Sequence, residues 1–192
     1  MSDSELMAKV SEEFKSPEGL FFPDTYLFAK GASDLQIYKQ AHTTLMAKLN
    51  AAWENRSPDL PYTTPYQALI MASIVEKETG KESERPMIAA VFVNRLKKGM
   101  MLQTDPTVIY GIGHKFDGNI RKKDLETDTP YNTYMRTGLP PTPISLPGVR
   151  SLAAALGPAE SDALYFVSRG DGSSQFSGNL TDHNRAVNKF QR

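Results

Sequence analysis

From Pro65 to Val75 the chain reads PYQALIMASIV, apolar at nearly every position. That run is too continuous for a one-sided amphipathic face and predicts a helix buried almost all the way round. Its ends are marked: Thr64 as N-cap, Pro65 at the first helical position, Gln67 completing a Thr-x-x-Gln capping box, and Gly80 as the stop. A second helix is predicted over residues 83–98, with Ile88, Val91, Phe92, Arg95 and Leu96 on one face and Gly99 ending it. The short connection between the two predicts an antiparallel helical hairpin. Residues 33–53 carry helical spacing through Leu35, Tyr38, His42, Leu45, Leu49 and Ala52. His42 there is read as packed or at the surface. Further helices are predicted over residues 4–14, 149–156 (stopped by Gly157-Pro158) and 179–192, the last after a Thr181 cap.

Period-two signals are few. Residues 163–168 and 174–177 flank Gly170-Asp171-Gly172, the strongest hairpin signal in the chain. The aromatic segment 18–28, broken at Pro23-Asp24, reads as short extended pieces around a turn, its rings mainly core. Asp105 before Pro106 reads as the N-cap of a short helix, and that role alone accounts for the aspartate. Residues 121–126 read as a short, solvated charged helix, and 129–148 as a long loop rich in Tyr, Asn, Thr and Pro of the sort that often carries function. The fold class is therefore α+β: a mainly helical domain with a small antiparallel hairpin, one domain over residues 1–192 without internal repeat or inter-domain linker.

Composition narrows the chemistry by exclusion. The 192 residues include 22 basic and 22 acidic side chains, so no long-range field points to nucleic acid or an anionic membrane as partner. Without cysteine there is no disulfide framework and no thiolate metal site. His42, His114 and His183 lack helical partners for a zinc or iron site, and no Walker loop, nucleophile elbow or dinucleotide fingerprint is present. No metal or cofactor is implied. No run reaches the roughly 18 apolar residues that span a bilayer, and Met1-Ser2-Asp3-Ser4-Glu5 is not a signal peptide.

What remains is a carboxyl group at the end of the apolar helix. Glu76 shares a stripe with Leu69 and Ala72, and burial there would raise its pKa toward the value a general acid needs near neutrality. Glu78 lies roughly 160° away at about 100° per residue, so both cannot face one cleft. Glu76 is preferred because Ser73 and Thr79 flank its stripe with small polar groups that leave room for a ligand. Pattern alone leaves a second reading open, in which Glu76 is only the polar last turn of a core helix, reaching solvent or pairing with a lysine. The surrounding loops, rich in Tyr, Asn, Gln and Thr, suit an uncharged, hydroxyl-rich ligand such as sugar.

Several segments are more specific than pattern. EGLFFPDTY at 18–26, ASIVEKET at 72–79, VFVNRL at 91–96, LQTDPTVIYG at 102–111, YNTY at 131–134 and GLPP at 138–141 resemble the YceG-like endolytic murein transglycosylases of bacteria. The resemblance runs from about Glu18 to the C-terminus. It implies a lysozyme-like site logic in which Glu76, matched to the first glutamate of IVEKE, protonates the bond between N-acetylmuramic acid and N-acetylglucosamine. Once ionised, the same carboxylate takes the proton of the muramoyl C6 hydroxyl, which closes on C1 to leave a 1,6-anhydro end.

On motif position Gln103, Thr104, Asp105, Tyr131, Asn132 and Tyr134 are the candidates for orienting the glycan. A muramidase using Asp105 as second carboxylate is the enzymatic alternative, since hydrolysis ordinarily needs a partner acid. A non-catalytic glycan-binding or scaffold module is the other. The resemblance further implies peptidoglycan strands as substrate, cell-wall synthases as partners, and termination of glycan elongation as the outcome. It also implies a bacterial inner-membrane, single-pass protein with this domain in the periplasm. The chain is accordingly read as the catalytic portion, without the N-terminal anchor and the region after it.

Overall fold

Ala68 through Val75 are all buried, and the helix that carries them, α3 (Pro65–Glu78), is the axis of the molecule. The computed structural model describes residues 1–11 and 13–191. Around α3 lie α1 (Asp3–Val10), α2 (Asp34–Glu54), α4 (Arg85–Lys97), α5 (Asp105–Ile112), α6 (Lys122–Glu126), α7 (Val149–Leu156) and α8 (Leu180–Phe190), with short 3-10 turns at Glu82–Glu84 and Gly113–Lys115. Two strands, β1 (Tyr165–Ser168) and β2 (Ser174–Ser177), pair antiparallel with Phe166 opposite Phe176. The predicted α+β class, mainly helical with one small hairpin, is what forms.

An all-round apolar helix needs neighbours on every side, and α3 has them in α2, α4, α5 and α7. The alanines of α7, Ala154 and Ala155, are buried and let it lie close against Ala68, Ala72 and Val75 of the same core cluster. Phe92 of α4 is almost wholly buried and meets Phe166 edge-on at 6.0 Å between ring centroids, which docks the hairpin on the helices. His42 is buried on α2, with Nδ1 2.9 Å from the Leu20 carbonyl. That contact pins the aromatic segment, whose Leu20 and Phe22 enter the core while Leu27 and Phe28 stay exposed.

Local signals set most boundaries, with physical exceptions. The Thr64 hydroxyl caps the Gln67 amide at 3.3 Å, but the Gln67 side chain accepts from Thr63 N at 2.7 Å, so the box closes one residue earlier than predicted. The helix predicted from residue 83 starts at Arg85, after a 3-10 turn. Pro86 is the reason: it lacks an N–H and its ring confines it to a helix's first turn. Asp105 is inside α5 and Thr104 is its N-cap residue, so the predicted capping role of Asp105 is not the one observed. α8 is capped by Asn179, whose side chain accepts from Asp182 N at 2.9 Å, and not by Thr181. α1 is shorter than predicted and opens on a Ser2–Glu5 capping box. Glu12, inside the stretch predicted over 4–14, and Arg192, the end of the stretch predicted over 179–192, lie outside the described residues. In the hairpin, Gly170 and Gly172 take φ values of +84° and +82°, as the Gly-Asp-Gly signal requires.

Candidate active site

A cleft of about 1090 Å³ opens beside the C-terminal end of α3. Its lining includes Glu78 from α3, Arg95 from α4, Gln103 and Asp105 at the start of α5, Tyr134 from the long loop, and Tyr165 and His183 from the hairpin and α8. The glutamate that faces it is Glu78. Glu76 points the other way, as the roughly 160° between them demands.

Glu78 is recessed in the cleft wall, and the Thr104 hydroxyl donates to its Oε2 at 2.7 Å. Burial pushes its pKa above the ordinary 4.5; the Thr104 hydrogen bond opposes the rise and the charge of Asp105 adds to it. Across the cleft the Tyr134 hydroxyl donates to Asp105 Oδ1 at 2.6 Å. Burial, and then that bond to a carboxylate, hold the Tyr134 phenol well above its usual range, so it stays a neutral donor. The site thus joins one desolvated carboxyl, one carboxylate and a neutral hydroxyl on a cleft wide enough for an extended ligand.

Glu76 has a different setting. Its Oε2 accepts from the Gly148 amide at 2.9 Å and the Ser151 hydroxyl at 2.7 Å, and Arg85 pairs with its Oε1 at 3.3 Å. These donors tie α3 to the start of α7 and of α4. The apolar surroundings expected from the Leu69–Ala72 stripe are absent at the carboxyl group itself. Next to it, Ser73 accepts from Ile144 N at 3.0 Å, and its carbonyl accepts from Ser145 Oγ at 2.9 Å. Of the two small polar groups that flank the Glu76 stripe, Ser73 thus binds the loop that leads into α7, whereas Thr79 lies on the cleft that Glu78 faces and accepts from Lys81 N at 2.9 Å.

The remaining candidates divide. Gln103, Asp105 and Tyr134 line the cleft with Glu78, while Thr104 is buried and acts on Glu78 through its hydroxyl. Asn132 is buried and fully engaged: its Nδ2 donates to the carbonyls of Asp124, Leu125 and Thr127, and its Oδ1 accepts from Tyr134 N at 2.9 Å. It shapes the loop that carries Tyr134 and has no group left for a ligand. Tyr131 stacks at a tilt on Tyr110, 4.7 Å between centroids, and shares a hydrogen bond with Thr142, away from the cleft lining.

Arg95 is a cleft residue that the motif candidates do not include, and an arginine on an otherwise apolar helix face is the sequence signal that points to it. It is buried and lines the cleft. Among the described residues no group of three or more Asp, Glu or His side chains is placed to hold a metal ion.

This arrangement stands in a chain whose residues 2–189 match the model of the YceG-like family. It is 40% identical over 183 residues to a Bacillus subtilis protein named endolytic murein transglycosylase, covering 94% of this chain and 50% of that one. A Streptococcus pneumoniae protein of the same name is 32% identical over 177 residues, covering 88% of this chain and 31% of the relative. A solved YceG-like protein from Listeria monocytogenes superposes with a TM-score of 0.76 at 40% identity, covering 93% of this chain and 58% of that one. The chain therefore spans about half, or less, of the curated relatives it matches.

Proposed function

The chain belongs to the YceG-like family, and from that membership we propose that it is the catalytic portion of an endolytic peptidoglycan lytic transglycosylase with Glu78 as its acid. The observation that carries the assignment is the desolvated Glu78 carboxyl on the cleft it shares with Gln103, Asp105 and Tyr134. The raised pKa moves Glu78 toward the protonated form that a general acid needs.

Glu78 donates that proton to the oxygen linking N-acetylmuramic acid to N-acetylglucosamine, and the bond from muramoyl C1 to that oxygen breaks. The oxocarbenium-like centre left at C1 faces the carboxylates of Asp105 and of newly ionised Glu78, which favour its positive charge. Glu78 then takes the proton of the muramoyl C6 hydroxyl as O6 bonds to C1, leaving a 1,6-anhydro end and a protonated Glu78 for the next cycle. Thr104 steadies the ionised carboxylate through the 2.7 Å bond to Oε2.

The position of Asp105 in the same cleft favours one competing reading, hydrolysis of the same bond with Asp105 as second carboxylate. Digestion of peptidoglycan in ¹⁸O water separates them. Anhydro ends without label are expected, whereas label at muramic acid C1 would sink the transglycosylase reading and favour the hydrolase.

We place the domain, within the whole protein, on the periplasmic side of the bacterial inner membrane behind a single-pass anchor, working beside cell-wall synthases to end strand growth. What supports this is the family resemblance. No helix among the described residues is long and apolar enough to cross a membrane. Fractionation of the full-length protein, with protease access to this domain from the outer side of the inner membrane, tests the placement.

A further inference from the structure

Arg95 is a buried guanidinium, and no carboxylate lies within ion-pair distance of it among the described residues. Its Nε donates to the Leu164 carbonyl at 2.7 Å, and its Nη1 reaches the carbonyls of Met101 and Leu102 and the side-chain oxygen of Gln103 at 3.1 Å. A guanidinium has donors only, so the Gln103 carboxamide must turn its oxygen to Arg95 and its NH2 away from it. Gln103 is exposed on the cleft wall, and its Nε2 bonds to none of the described residues. Its backbone is also unusual: φ is +52°, the left-handed region that favours glycine, held there while its amide donates to the Thr133 carbonyl at 3.0 Å. A side chain kept where glycine would sit more easily is a strained position of the kind that clusters at ligand sites.

We propose that Arg95 is a positioning residue that aims the Gln103 NH2 into the cleft, where it donates to the acetamido carbonyl of an N-acetylhexosamine and so selects N-acetylated glycan. The inference rests on the glycan-cleaving reading above. The assignment to a carbonyl follows from what lies beside Gln103 on the cleft: Asp105 is an acceptor suited to sugar hydroxyls and the Tyr134 hydroxyl is already committed to it, whereas an amide carbonyl needs N–H or O–H donors. Gln103 supplies a pair of them.

The test uses the Glu78→Gln chain, so that nothing is cleaved, with two neutral β-1,4 tetramers: chitotetraose, which has the acetamido groups, and cellotetraose, which has hydroxyls in their place. Binding is followed by calorimetry and by the side-chain NH2 resonance of Gln103. A preference for chitotetraose of roughly tenfold or more is expected, since a lost or unmatched hydrogen bond is worth about that factor, together with a shift of the Gln103 resonance.

Adding Gln103→Gly should preserve or raise Tm, because glycine suits the left-handed backbone, while reducing the preference to about twofold or less. Arg95→Lys should reduce the preference in the same way. If Arg95→Lys does not fold, Gln103→Glu replaces it, keeping an oxygen toward Arg95 while offering no donor. An undiminished preference in Gln103→Gly, in Gln103→Glu or in folded Arg95→Lys overturns the proposal. Equal binding of both tetramers by the starting chain overturns it while leaving the glycan reading intact. Failure to bind either tetramer removes both.

Discussion

The last turn of α3 sends one carboxyl group toward α7 and another toward α5, and the two environments could hardly differ more. On the α7 side Glu76 meets an amide, a hydroxyl and a guanidinium, each already bonded to it. Toward α5, Glu78 meets one hydroxyl, the negative charge of Asp105 and an open cleft. A carboxylate surrounded by donors is a fastening. Desolvation beside another negative charge instead raises the pKa of a carboxyl group, the shift that the proposed acid role of Glu78 draws on. Apolar flanks on a helix wheel therefore do not tell which carboxyl group opens on a cleft; the atoms that reach it from other segments do.

The sharpest way to break this comparison is to neutralise each carboxyl in turn. Glu78→Gln should fold and lose about 10²- to 10⁴-fold in the rate of anhydro-muropeptide release, the usual cost of removing a general acid. Glu76→Gln should keep measurable turnover. An active Glu78→Gln alongside a folded but inactive Glu76→Gln would exchange the two roles.

A smaller effect should come from Asp105→Asn. Asp105 raises the Glu78 pKa, so removing its charge should lower that pKa and move the alkaline limb of the kcat/KM profile to lower pH, with a modest fall in rate on that limb. An alkaline limb that stays in place would show that Asp105 does not tune Glu78.

Stability should distinguish the two sides as well. Glu76→Ala strands Gly148 N–H, the Ser151 hydroxyl and Arg85, a loss of about 1 to 3 kcal/mol. Thermal melting should show a decrease of several degrees, at about 2 to 4 °C per kcal/mol for a chain of this size. An unchanged Tm would mean that these bonds fasten nothing.

On the cleft side the sign reverses. Glu78 has a folded pKa raised above the ordinary 4.5, so between those values the folded chain keeps a proton that the unfolded chain releases. Stability therefore falls as pH rises through that window, and Glu78→Gln should remove the fall. Relative to the parent chain, its Tm should therefore be higher at pH 8 than at pH 4. A gain that is equal at both pH values would contradict the burial of an ionisable group there.

Short-range chemistry was legible in the sequence alone. The continuous apolar run specified α3, Thr64 and Pro65 specified its start, and Gly170-Asp171-Gly172 specified the hairpin, because each depends on residues within one or two turns of chain. Pro86 was equally local, and it moved the start of α4 where spacing alone did not. The roughly 160° between Glu76 and Glu78 also follows from helix geometry, which by itself excludes a shared cleft.

Which glutamate faces the cleft did not follow, because α3 is covered on all sides and its own pattern marks no preferred face. That choice came from Gly148 and Ser151, 72 and 75 residues beyond Glu76, and from Thr104, 26 residues beyond Glu78. The engagement of Asn132 with three carbonyls, and the hold of Arg95 on Gln103, were likewise decided by which loops pack together. The sequence determined the helices, the hairpin and the pair of carboxyl groups; only the tertiary structure decided which one is fastened by several donors and which opens on the cleft, since a hydrogen-bond donor brought from a distant segment leaves no trace in the local pattern of residues.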